Sequence, residues 1–207
     1  DRTSTQFCGS ESPKANSGGH WMFNSSNLTG CNAIYGGSQM FRYGSSVNLD
    51  GVEMKAMGCT ANFGHVGRYP IHFHLSGYAK SWKGYLPKEA SIEDRVNTRE
   101  SVVSNCSIWA SMNRWVTTHG AHEVDIKNNI GFIAYGSGYF VEDGTEIDNT
   151  FEHNMAICCL SSSYHAYWNP LPLYSSVSSD LAPASAFWFK NNQNRCFRNI
   201  ICCPTKI

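Results

Sequence analysis

At 207 residues the chain is long enough to bury one substantial core. A formal net charge of zero, with only 15% of residues charged, excludes general electrostatic attraction to nucleic acid or an anionic membrane. No run of about 18 apolar residues occurs, so no segment reads as a membrane span.

From the N-terminus, residues 1–50 are Gly- and Ser-rich and are expected to lead into the first coil of a repetitive fold whose body is 51–207. Two glycosylation sequons, Asn24-Ser25-Ser26 and Asn27-Leu28-Thr29, mark this opening segment as an extracellular surface. A third match, Asn105-Cys106-Ser107, falls on a repeat position and is expected to be too buried for modification. From Cys59 onward a ladder recurs: Cys59, Cys106, Asn129, Asn154 and Asn199 each follow a short apolar segment. A second ladder of His74, His119 and Asp143 keeps step with it, in units of about 23 to 25 residues, within the range of solenoid repeats.

The expected strands are short and β-branched or aromatic: 71–75, 116–118, 139–141 and 187–189. Gly and Asn separate them, and no long stretch has the apolar spacing of a helix. A parallel β-helix follows, in which coils stack about 4.8 Å apart and inward side chains form continuous files. Two spacings break the unit and predict inserted loops at about 77–100 and 158–185. Their rings Tyr78, Trp82, Tyr164, Tyr167 and Trp168 are candidates for stacking on sugars, with loop packing as their other use.

If Ile71 and Phe73 face the core, His72 and His74 face out, because side chains alternate along a strand. Stacking then brings His119 and Asp143 alongside, and His72, His74, His119 and Asp143 are the candidate ligands of a divalent metal ion. His119, Asp143 and Glu142 are the candidate catalytic groups. As neighbours on a strand, Glu142 and Asp143 are expected to face opposite sides, so Asp143 would work with Glu146, Asp148 or Glu152 instead. The nine cysteines lack zinc-finger spacing and are expected to supply disulfides, with Cys59 and Cys106 alternatively stacking as small apolar residues. No phosphate-binding loop, nucleophile elbow or dinucleotide fingerprint is present.

The runs Gly67-Arg68-Tyr69-Pro70-Ile71-His72-Phe73-His74, Thr118-His119-Gly120-Ala121-His122, Gly138-Tyr139-Phe140-Val141-Glu142-Asp143-Gly144 and Asn149-Thr150-Phe151-Glu152-His153-Asn154 occur in that order. Together they resemble the β-helix region of the family of fibrocystin, fibrocystin-L and the cell-migration-inducing hyaluronan-binding protein with its relative, the cell-surface hyaluronidase. The resemblance covers roughly residues 50 to 200. It implies a right-handed parallel β-helix within a large extracellular or membrane-anchored protein, working on cell-surface glycans or at the ciliary surface. The start at Asp1 and the absence of an obvious cap at residues 202–207 likewise suit part of a longer polypeptide or assembly.

Two functions follow as expectations. One is a non-enzymatic module that binds glycan or other extracellular protein chains. The other is a depolymerising domain for a hyaluronan-like polysaccharide, acting as hydrolase or lyase through the histidine and aspartate row.

Overall fold

A computed structural model describes residues 37–58, 68–80, 100–160 and 184–202, and the described residues contain strands but no helix. The strands form three parallel sheets. The first holds β1 (Gln39–Arg42), β4 (Ile71–Tyr78), β7 (Val116–His122), β10 (Tyr139–Val141) and β13 (Phe187–Trp188). The second holds β2 (Asn48–Asp50), β5 (Val102–Ser104), β8 (Asp125–Lys127), β11 (Thr150–Glu152) and β14 (Arg195–Phe197). The third holds β3 (Glu53–Lys55), β6 (Ser107–Ser111), β9 (Ile130–Tyr135), β12 (Met155–Leu160) and β15 (Ile200–Cys202). The chain visits the sheets in turn five times, so each triplet is one coil of a three-sided parallel β-helix.

Alternation along each short strand sets what enters the prism. In the first sheet Phe41, Phe73, Thr118 and Val141 share a register column, and Ile71, Val116, Tyr139 and Phe187 another. The second sheet contributes Leu49, Val103, Ile126 and Phe151, the third Met54, Ile108 and Ala156. Trp115 enters at the corner ahead of β7 and is fully buried. Its ring lies so close to Gly131 and Gly138 that a Cβ built on either would come within 2.3 Å of it.

The corner between the second and third sheets carries the asparagine file. Cys106 N donates to Asn129 Oδ1 (3.0 Å), Asn129 N to Asn154 Oδ1 (3.1 Å) and Asn154 N to Asn199 Oδ1 (2.8 Å). Each carboxamide also donates inward, Asn129 Nδ2 to Val103 O and Asn154 Nδ2 to Ile126 O. The expectation that Cys59 heads this file is corrected. Because Glu53 is level with Ser107, the residue matching Cys106 in the first coil is Val52, and Cys59 lies outside the described residues. A second file, not anticipated, runs at the corner between the first and second sheets. There Val124 N donates to Asn149 Oδ1 and Asn149 N to Asn194 Oδ1.

Asn154 satisfies two buried donors of Asn129, its N–H and its Nδ2. Asn154→Ala leaves both without this partner, and a stranded buried donor costs about 1–3 kcal/mol. A loss of about 3 kcal/mol in urea unfolding is expected, against about 1 kcal/mol for Asn199→Ala at the partly exposed end of the file.

The inserted loops begin later than their spacing suggests. Strand β4 runs on through Tyr78 and β12 through Leu160, so Tyr78, Cys158 and Cys159 belong to the coils. Tyr78 stacks on His122 at 4.2 Å between ring centroids. Trp82, Tyr164, Tyr167 and Trp168, and the sequons at Asn24 and Asn27, lie outside the described residues. Disulfides are not what Cys106, Cys196 and Cys202 form; all three are free thiols. Cys106 faces the core, with its Sγ 3.1 Å from Ser104 O.

Where the chain leaves β4, Lys80 Nζ reaches Asp125 Oδ2 at 2.8 Å, and Lys127 Nζ meets the same oxygen at 3.2 Å. Burial pushes the Asp125 carboxyl up, but hydrogen bonds and charge from the two lysines outweigh it and hold the pKa below 3.8. A depressed folded-state value means the stabilisation is present above the unfolded pKa and is lost as pH falls through the folded one. Asp125→Asn is therefore expected to cost about 1 kcal/mol at neutral pH. Denaturation curves of variant and parent should converge as the pH is taken below 3.8.

Candidate metal and glycan site

The outer face of the first sheet gathers the polar groups that the core rejects. Inward Ile71 and Phe73 force His72 and His74 outward, and the register sets Arg42, His74 and His119 in one column and Met40, His72, Thr117 and Phe140 in the next. One ligand nitrogen from each of His72, His74 and His119 lies within 4.8 Å of the others. His74 Nδ1 and His119 Nδ1 are 3.1 Å apart. Two nitrogens bound to one tetrahedral ion at about 2.0–2.1 Å would stand about 3.3 Å apart, so this spacing needs almost no adjustment to hold a metal.

The turn after β10 supplies the carboxylates. With Val141 level with Thr118, Glu142 falls level with His119, and its N–H donates to Thr118 O at 3.0 Å. Strand geometry ends at Val141, which removes the alternation expected to separate Glu142 from Asp143. Both reach His119: Asp143 Oδ2 accepts from Nε2 at 2.8 Å and Glu142 Oε2 stands 3.7 Å from Nδ1. Glu146, fully buried, braces the turn by accepting from the N–H groups of Gly120, Asp143 and Gly144. It lies behind the turn, so the expected pairing of Asp143 with Glu146 as a second reacting carboxyl is corrected to a structural one.

Asp143 also differs from its expected place. It binds the ring nitrogen of His119 opposite to the one facing His74, which fixes the tautomer with Nε2 protonated and leaves the Nδ1 lone pair pointing at the cluster. This is the arrangement in which a carboxylate orients a metal-binding imidazole from behind. Burial, with the positive charge of Arg42 adding to it and Asp143 opposing, lowers the His74 pKa from the ordinary imidazole value.

Sequence reasoning missed Tyr69 and Arg114. The Tyr69 hydroxyl donates to Glu142 Oε1 at 3.3 Å, its ring meets His72 edge-on, and burial pushes its pKa up to about 12. Arg114 lies buried with its guanidinium 3.2 Å from the Phe140 ring centroid and also reaches the Tyr69 hydroxyl. Its Nε and Nη1, and Glu142 Oε2, are buried without a hydrogen-bond partner among the described residues. Burial raises the Glu142 pKa against the opposing pull of His119 and Arg114. The available signal was positional: Tyr69 and Arg114 each stand two residues before the first residue of a strand of the first sheet.

The described residues thus form a three-sided parallel β-solenoid whose first sheet carries an imidazole cluster, two neighbouring carboxyl groups and a buried guanidinium. The chain belongs to the CEMIP beta-helix family, whose profile matches residues 34–205. It is 30% identical over 182 residues to the cell migration-inducing and hyaluronan-binding protein of Mus musculus, covering 82% of this chain and 12% of that protein. Identity to the cell surface hyaluronidase CEMIP2 of Homo sapiens is 30% over 170 residues, covering 75% of this chain and 11% of the relative. Fibrocystin-L of Mus musculus is 32% identical over 129 residues, 62% of this chain and 2% of its own length. The chain thus spans 12% or less of these relatives. Among the described residues no helix is long and apolar enough to cross a membrane.

Proposed function

We propose that this chain is a metal-holding, glycan-engaging β-helix module of a larger extracellular or cell-surface protein, with a hyaluronan-like, uronic-acid-containing polysaccharide as its ligand. The observation that carries this reading is the convergence of His72, His74 and His119, with Asp143 orienting His119 from behind. Imidazole-rich sets suit Zn²⁺ and related transition ions, whereas Ca²⁺ and Mg²⁺ take oxygen ligands. The glycan enters from the relatives, one named as hyaluronan-binding and one as a cell surface hyaluronidase. Arg42, exposed and level with His74, would supply a cation for a uronate carboxylate. The same surface and the loops beyond it would also serve docking of other extracellular protein chains, including at a ciliary surface.

A second reading, chain cleavage at this site, is favoured by Glu142. Burial raises the Glu142 pKa beside the cluster, which is the direction a general acid acting on a leaving glycosidic oxygen requires. A bound metal would supply polarisation of a glycan oxygen there. His119 would hold the metal under the direction of Asp143, and Tyr69 would hold Glu142 in place. Size-defined hyaluronan incubated with the purified chain, with and without chelator, separates the readings. Chelator-sensitive shortening supports cleavage, chelator-sensitive retention without shortening supports binding, and neither effect overturns both.

A further inference from the structure

We propose that Asn105 is an N-glycosylation site, contrary to the burial its repeat position suggests. In every coil the residue just before the file at the corner of the second and third sheets takes a left-handed conformation: Gly51, Asn105, Asn128, His153 and Arg198, with φ of 66°, 54°, 58°, 53° and 57°. That geometry throws the side chain off the prism edge, and all five are exposed. A Cβ built on Gly51, the equivalent position one coil before Asn105, meets nothing within 4 Å. The column is therefore a ridge with open space around it, and the burial belongs to the next residue.

The sequon divides its three residues accordingly. Cys106 turns inward and is buried, so its thiol neither blocks the acceptor nor is offered for a disulfide that would tie the corner down. Ser107 opens β6 and is level with exposed Ile130 on the outer face of the third sheet. Among the described residues the carboxamide of Asn105 bonds to the exposed Asp50, Nδ2 to Oδ1 at 2.7 Å. In the transfer, Nδ2 attacks the anomeric carbon of a lipid-linked oligosaccharide. A nitrogen–carbon bond forms, the carbon–oxygen bond to the pyrophosphate leaving group breaks, and one amide proton is lost. The remaining N–H keeps a donor for Asp50, so the modification does not cost the corner its hydrogen bond. The glycan would sit at a corner of the prism that is not part of the face carrying the histidines.

The test is secretion of the full chain from eukaryotic cells, followed by peptide-N-glycosidase treatment in heavy-oxygen water and peptide mass spectrometry. Labelled aspartate at position 105, and loss of one glycan step on a denaturing gel in both Asn105→Gln and Ser107→Ala, are expected, while Ser107→Thr keeps that step. Two different variants separate loss of the acceptor from a folding fault, and their zinc binding should equal that of the parent. An unlabelled position 105 overturns the proposal, whether or not Asn24 and Asn27 carry glycan; if they do, the chain met the transferase and the corner was refused.

Discussion

His119→Ala is expected to weaken zinc binding by about 100-fold or more, because it removes a ligand shared between the His74 and His72 sides of the cluster. Asp143→Asn should cost about 10- to 100-fold, the range seen when the group that orients a ligating imidazole is lost. The ordering matters, since a set in which Asp143 were itself a ligand would make the two losses equal. Titration calorimetry on both variants reads this directly. Folding should be little affected, since His119 is partly exposed and its hydrogen bonds to His74 and Asp143 lie at the surface of the first sheet. A His119→Ala protein that binds zinc like the parent rules out the cluster as a metal site.

The largest expected effect on stability is at Trp115. Truncation to alanine removes a fully buried indole from the corner where it meets Tyr139 edge-on, with the two ring centroids 5.3 Å apart. Changes of this type cost about 3–5 kcal/mol. Gly131→Ala attacks the same contact from the other side, because the new methyl would lie 2.3 Å from the indole, and about 3 kcal/mol is expected for it. The two effects are coupled. In a Trp115→Ala background the indole is gone, so Gly131→Ala should cost less than about 1 kcal/mol or even recover stability by filling the space. Simple additivity in a urea-unfolding double-mutant cycle would mean that the indole does not occupy the gap between the two glycines.

Much of the fold was readable because a solenoid repeats its errors as well as its signals. Strands at Ile71, Val116, Tyr139 and Phe187 were each marked by β-branched or aromatic residues at coil spacing, and the Asn129, Asn154 and Asn199 file stood out as a polar residue recurring after apolar segments. The second file was equally legible in principle, since Asn149 and Asn194 are separated as Asn154 and Asn199 are. It was hidden by the first three coils, where Val47, Ser101 and Val124 rather than asparagine occupy the position. Cys59 was misplaced because the first coil contains no polar residue at that corner, and a cysteine nearby imitated one.

The site was half legible for a similar reason. Alternation identifies which face His72, His74 and His119 take, but it holds only while the strand lasts. Strand β10 ends at Val141, and the following turn, held by Glu146, decides where Glu142 and Asp143 point. Tyr69 and Arg114 enter from segments between strands, where no period constrains the side chain. Their role depends on three-dimensional proximity to Phe140 and Glu142, which one sequence does not encode in any spacing.

Crystals of the full chain grown with zinc and measured across the zinc absorption edge give the most direct test. A single strong anomalous peak about 2.0–2.1 Å from nitrogens of His72, His74 and His119, with Asp143 still on the far nitrogen of His119, is the expected result. Zinc bound elsewhere with these three imidazoles left in mutual contact would contradict it.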